Sequence, residues 1–221
     1  LTIAPLIDLA PLEINNALNA AVVALDANGI LLYCGPGTDT RAVMLPSPMI
    51  GWGKLKLMTL NRDVMHVLDA EKNALWRYDG DRGQFDNPPG PFFSGQVPAR
   101  FDTFVDMVIN AGELFLLRDS GELVQCTYST VPAIKDGGCR DPAALTDARQ
   151  GETRSVTRFE NALFTRLALS ANRDSIYVLD SQNNAIYRFS LKLNLDRVLV
   201  MRMQDGTSLA GMTPTAFAAR G

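Results

Sequence analysis

The stretch Asn61-Arg62-Asp63-Val64-Met65-His66-Val67-Leu68-Asp69-Ala70-Glu71-Lys72-Asn73-Ala74-Leu75-Trp76-Arg77-Tyr78 decides how this chain is read. It returns as Asn172-Arg173-Asp174-Ser175-Ile176-Tyr177-Val178-Leu179-Asp180-Ser181-Gln182-Asn183-Asn184-Ala185-Ile186-Tyr187-Arg188-Phe189. Nine of the eighteen pairs are identical, and most of the others exchange one apolar or aromatic residue for another. A unit copied at this length marks a repeat architecture. Each copy is an apolar run, a polar turn carrying Asp and Asn, and a second apolar run, which is the signature of a β-hairpin.

Residues 22–33 and 113–126 follow the same plan. Leu25, Leu68, Leu117 and Leu179, each leading into a turn, are separated by 43, 49 and 62 residues. That spacing predicts an all-β chain built as a β-propeller of four-stranded antiparallel blades. Residues 101–108 and 164–170 read as inner strands ahead of two of the hairpins, and residues 213–221 as a further inner strand. Four blades and part of a fifth are recognisable, in a propeller expected to be six-bladed when complete. Residues 1–221 are read as one propeller domain truncated at both ends.

Two stretches break the pattern. Residues 84–98 hold Asn87-Pro88-Pro89-Gly90-Pro91-Phe92-Phe93, whose prolines cannot donate to a central ladder. Residues 129–158 account for the longest spacing and include Lys135-Asp136-Gly137-Gly138-Cys139. Both are expected to be loops inserted between blades. The adjacent Phe92 and Phe93 either fold back over the disc or form a contact surface.

The composition, 47% hydrophobic and 20% charged over 221 residues, is ample for a core. No run approaches the 18 or more apolar residues of a membrane span, so direct membrane insertion of this segment is not expected. A net charge of −3 with scattered Lys and Arg offers no basic face for a phosphate backbone, which argues against nucleic acid as a partner. Cys126 and Cys139 bracket the irregular loop and could form a disulfide, which would imply an extracytoplasmic or cell-surface location. The other reading makes Cys126 a core residue, as Cys34 is expected to be.

The segment Tyr177 to Phe189 resembles an NHL-type repeat, whose pattern runs aromatic, Val, small or apolar, Asp, two turn residues, Asn, any residue, Arg, Ile and a further aromatic. Asp180, Asn183, Ile186 and Phe189 match it, while Ala185 stands where the family has Arg and Lys72 where the first copy would need Asn. Phe104-Val105-Asp106-Met107 and Cys126-Thr127-Tyr128-Ser129 are similar to uncharacterised propeller domains of bacterial multidomain proteins. The resemblance implies the propeller fold and brings no particular activity.

Asp26, Asp69 and Asp180 occupy one position of successive hairpins, where a carboxylate can accept turn N–H groups, so they and Asn183 are read as structural turn residues. His66 is the only histidine and lies on a strand. A two-histidine zinc site is therefore excluded. Propeller lyases and lactonases of gluconolactonase-like type bind metals at their channel, and the version open to this chain is an all-oxygen Ca2+ site. Two functions follow. One is a non-catalytic protein-interaction or scaffold module that meets a protein partner, or other domains of its own polypeptide, through the loops at 84–98 and 129–158. The alternative is a calcium-dependent hydrolase or lyase, for which no catalytic residues are assigned.

Overall fold

The computed structural model describes residues 2–12, 21–35, 40–93, 97–128, 138–149, 153–202, 206–207 and 213–217. They fall into two compact units, Leu1–Asp102 with Tyr128–Gly138 and Thr103–Thr127 with Cys139–Gly221. Each unit contains two blades, and every blade is an antiparallel four-stranded sheet with its strands in a simple meander order.

The first unit has one blade of β1 (Leu6–Leu12), β2 (Ala21–Asp26), β3 (Ile30–Cys34) and β4 (Arg41–Met44). Its second blade is β5 (Leu55–Asn61), β6 (Val64–Asp69), β7 (Ala74–Asp79) and β8 (Gly90–Pro91). In the second unit the blades are β9 (Phe104–Asn110), β10 (Glu113–Arg118), β11 (Leu123–Thr127) and β12 (Cys139–Arg140), then β15 (Phe164–Leu169), β16 (Ser175–Asp180), β17 (Ala185–Ser190) and β18 (Leu195–Val200). Between them lies a separate two-stranded hairpin, β13 (Leu145–Asp147) and β14 (Arg154–Val156).

The second strands are buried on both faces, which is why they read as nearly unbroken apolar runs. Successive side chains alternate across a strand, so Met65 and Val67 of β6 enter the core of the first unit while His66 and Leu68 face the other way, and all four are buried. That core joins Val23, Leu25 and Leu31 of one blade to Leu55, Met58 and Tyr78 of the other. The core of the second unit joins Phe115 and Leu117 to Phe164, Val178 and Phe189 in the same manner. Burial of side chains this large contributes about 2 kcal/mol each relative to exposure.

Each inner strand meets its neighbour with one register shift, next to Asp8 in β1, Leu57 in β5, Asp106 in β9 and Arg166 in β15. A bulge of this kind turns one side chain out of the ladder. Beside the bulge, Asp8 accepts the N–H of Met58 in the inner strand of the next blade at 2.8 Å. Asp106 does the same with Leu167 at 2.7 Å. Each unit is thus a pair of blades joined at the inner strands by one carboxylate as well as by apolar packing.

The stretches expected as inserted loops are partly sheet. Within 84–98, Gly90 and Pro91 form β8, the outer strand of its blade, pairing with Arg77 and Trp76. Proline is accommodated there because the outer side of an edge strand needs no donor. Within 129–158, Cys139 and Arg140 form β12 opposite Cys126 and Gln125, and the β13–β14 hairpin follows. Residues 94–96, 129–137 and 150–152 of these stretches lie outside the described residues. The further inner strand expected at 213–221 is not formed by 213–217, which carry no strand, and 218–221 lie outside the described residues. No helix among the described residues is long and apolar enough to cross a membrane.

Candidate functional site

The turn carboxylates are fully buried and committed to the backbone. Asp26 accepts the N–H groups of Ala4, Asn28 and Ile30 at 2.7–2.9 Å. Asp69 accepts those of Gly53, Lys54 and Lys72 at 2.7–3.1 Å. Asp180 accepts those of Leu163, Gln182 and Asn183 at 3.0–3.2 Å, and the Asn183 side chain donates to its second oxygen. Each carboxylate therefore ties its own turn to the segment entering the blade, so it satisfies buried donors that the turn would otherwise leave orphaned. The approach is close enough that a Cβ on Gly53 would stand 2.6 Å from Asp69 Oδ1, which explains a glycine there.

In the β9–β12 blade the corresponding position is Arg118, which pairs with Phe104 as Asp180 pairs with Phe164. Its buried guanidinium donates to Thr103 Oγ1 at 2.7 Å and to both oxygens of Asp141 at 2.7–2.8 Å, and lies 4.6 Å over the Phe104 ring. Asp141 immediately follows β12, which the Cys126–Cys139 disulfide fastens to β11. The sequence reading did not single out Arg118, because Asp119 follows it and makes the turn look like the others. Asp8 and Asp106 were also missed, although both stand in an apolar-apolar-Asp-apolar run.

Of the two readings of the Phe92–Phe93 pair, contact surface or cover, Phe92 does not take the first. It is 1% exposed and packs against His66, Phe93 and Tyr128 at ring separations of 5.0–5.5 Å. Phe93 is half-buried and meets Phe101 edge-on. The short β8 ends at Pro91 and leaves a flank of the blade that Phe92 covers. Cys34, expected in the core, is an exposed free thiol at the end of β3. His66 is buried, and desolvation, aided by the neighbouring Arg77 charge, pushes its pKa down to about 3, so the ring is neutral at ordinary pH.

The feature that no blade requires is the β13–β14 hairpin. Its root is fixed by the buried Leu145 and by Thr146, whose N–H donates to the Leu193 carbonyl at 3.0 Å. Across the hairpin Asp147 pairs with Arg154 in register. Arg149 then closes on Asp147, its Nε and Nη2 donating to the two carboxylate oxygens at 2.9 and 2.8 Å. Those bonds hold the Asp147 pKa down at about 2. Beside the hairpin is a hollow of about 300 Å³, lined by Asp147, Arg154, Val156, Arg158, Phe159, Glu160 and Asn161. The Phe159 ring is held against Tyr187, Phe164 and Phe189 at 5.5–6.2 Å, which makes that wall rigid. A second, open depression of about 610 Å³ near Arg188 is crossed by its bonds to Asp174, Asp196 and Ser175.

Among the described residues no group of three or more His, Cys, Asp and Glu side chains is placed to hold a metal ion.

No protein-family model matches the chain, and no curated protein matches it. Solved structures do. A 6-phosphogluconolactonase-like protein of Bacteroides uniformis is similar at 11% identity with a TM-score of 0.51, over 88% of this chain and 57% of that one. Virginiamycin B lyase of Staphylococcus aureus is similar at 14% identity and 0.46, over 88% and 56%. YCF48, solved with a D1 peptide, is similar at 8% identity and 0.46, over 88% and 52%. The chain spans a little over half the length of these proteins, and at such identities the likeness shows the propeller fold alone.

Proposed function

We propose that this chain is a non-catalytic propeller module that recognises a protein partner, or another part of its own polypeptide, through the insertion between β11 and β15. One observation carries this reading: the β13–β14 hairpin belongs to no blade, yet it is rooted on a rigid one and borders a hollow with an aromatic wall. Loops positioned by a stable scaffold are where binding residues concentrate. The turn carboxylates support the non-catalytic half of the reading, since the oxygens of Asp26, Asp69 and Asp180 are occupied by backbone donors and are poorly placed to act on a substrate. The Cys126–Cys139 disulfide supports an extracytoplasmic setting, because such bonds persist in oxidising compartments.

The test replaces residues 147–154 by a two-residue Asn-Gly turn, keeping the rooted strand ends, and compares affinity capture with the parent protein by quantitative mass spectrometry. A polypeptide enriched by the parent and lost from the trimmed variant, at matched thermal stability, is the expected result. Identical capture profiles would overturn the reading.

A further inference from the structure

We propose that the hollow beside β14 is a carboxylate site that receives the free C-terminal carboxylate of a peptide ending in an apolar side chain. The assignment rests on this hairpin being the recognition surface. Its size comes first: about 300 Å³ lies at the lower end of the range for small-molecule pockets and suits one large terminal residue.

Charge selects the head group. Asp147 and Arg149 form a closed pair in which both carboxylate oxygens are bonded, so their charges cancel locally. Arg154 and Arg158 also line the hollow, and neither makes an ion pair within 4 Å of a described residue. Arg158 makes one long bond, 3.4 Å from Nη1 to the Ser120 carbonyl. A guanidinium offers a planar fork that fits a carboxylate. Glu160 on the same lining leaves two cationic groups against one anionic group outside the closed pair, a balance suited to a monoanion in preference to a phosphate dianion.

The apolar wall selects the rest of the ligand. Val156 and Phe159 line the same hollow, and Phe159 is braced by the rings of Tyr187 and Phe189. A flat, pre-fixed ring can receive an aromatic or aliphatic terminal side chain with little ordering cost. Glu160 can accept the N–H of the peptide unit before the terminus, a bond that a simple fatty acid could not supply.

The probe is N-acetyl-L-phenylalanine, titrated into the full-length, disulfide-intact protein while amide NMR shifts of residues 155–161 are followed. N-acetyl-L-phenylalanine amide and inorganic phosphate are the comparison ligands. The expected result is saturable binding of the acid in the millimolar range. Arg154→Gln and Arg158→Gln should each weaken it about fivefold. The amide should shift these resonances little and phosphate should bind less well. Equal binding of acid and amide, tighter binding of phosphate, or no saturation by the acid would overturn the carboxylate assignment. Loss of the acid site in company with a trimmed-turn variant that still loses its captured polypeptide would leave recognition at the hairpin standing; binding of the acid with unchanged capture would do the reverse.

Discussion

Hairpins β6–β7 and β16–β17 come from one eighteen-residue pattern and keep one backbone pairing: Met65 opposite Tyr78 and Asp69 opposite Ala74 in the first unit, Ile176 opposite Phe189 and Asp180 opposite Ala185 in the second. Their surroundings differ. Arg77 donates to the Tyr128 hydroxyl at 2.7 Å, lies over its ring and pairs with Asp79. Its counterpart Arg188 bonds Ser175 and pairs with Asp174 and Asp196. Residues that satisfy buried backbone groups are the same in both copies, whereas residues facing outward are recruited by whatever outer strand lies nearby. The short β8 leaves room for Phe92 and Tyr128, while the six-residue β18 brings Asp196 alongside.

Removing a shared turn carboxylate should break both copies alike and cost the most. Asp69→Ala and Asp180→Ala each orphan three backbone N–H groups at a fully buried site, for an expected loss of about 4 kcal/mol in denaturant unfolding. A loss below about 1 kcal/mol in either copy would mean that the turns hold without them.

Reducing the disulfide should separate the units. Cys126 and Cys139 both lie in the second unit, with a sequence separation of 13, while Tyr128–Gly138 between them is grouped with the first; reduction should cost about 3 kcal/mol. It should also loosen β12 and the Asp141 partner of Arg118. Amide exchange with and without a dithiol reductant, read unit by unit, checks this. Equal loosening of the β1–β4 and β5–β8 blades would contradict it.

Acidification should separate them in the opposite sense. His66 in the first unit has Arg77 opposite it, whereas Tyr177 has Arg188 opposite and takes up no proton on acidification. The His66 pKa falls from an ordinary 6.5 to about 3 on folding, so between those values the unfolded chain binds the extra proton. The stability that neutral His66 contributes is therefore full above pH 6.5, declines as pH falls through that window, and falls no further below about pH 3. Between pH 7 and pH 5 the first unit should lose about 2 kcal/mol, and His66→Phe should flatten that slope in pH-dependent unfolding.

Much of this architecture was legible beforehand because the hairpin signal is local. An apolar run, an Asp-bearing turn and another apolar run predict pairing between neighbours in sequence, and the inner strands at Phe104 and Phe164 follow from the same alternation. Outer strands were harder to see. β8 and β12 have two residues each, too few for any periodicity, and they exist because a neighbouring strand offers its edge. Phe92 beside Phe93 could be read as surface or as cover, and the length of β8 decides between the two.

The sequence by itself determined the hairpins, their repeat and the carboxylates that seat three of the turns, because those follow from alternation and from turn hydrogen bonds a few residues apart. Tertiary structure alone decided that Asp8 and Asp106 join neighbouring blades, that Arg118 stands in a turn-carboxylate position with Asp141 as its partner, and that Arg154, Arg158 and Phe159 surround one hollow. Each of these joins residues whose separation in the chain carries no periodic trace, through contacts that arise only once the sheets have packed.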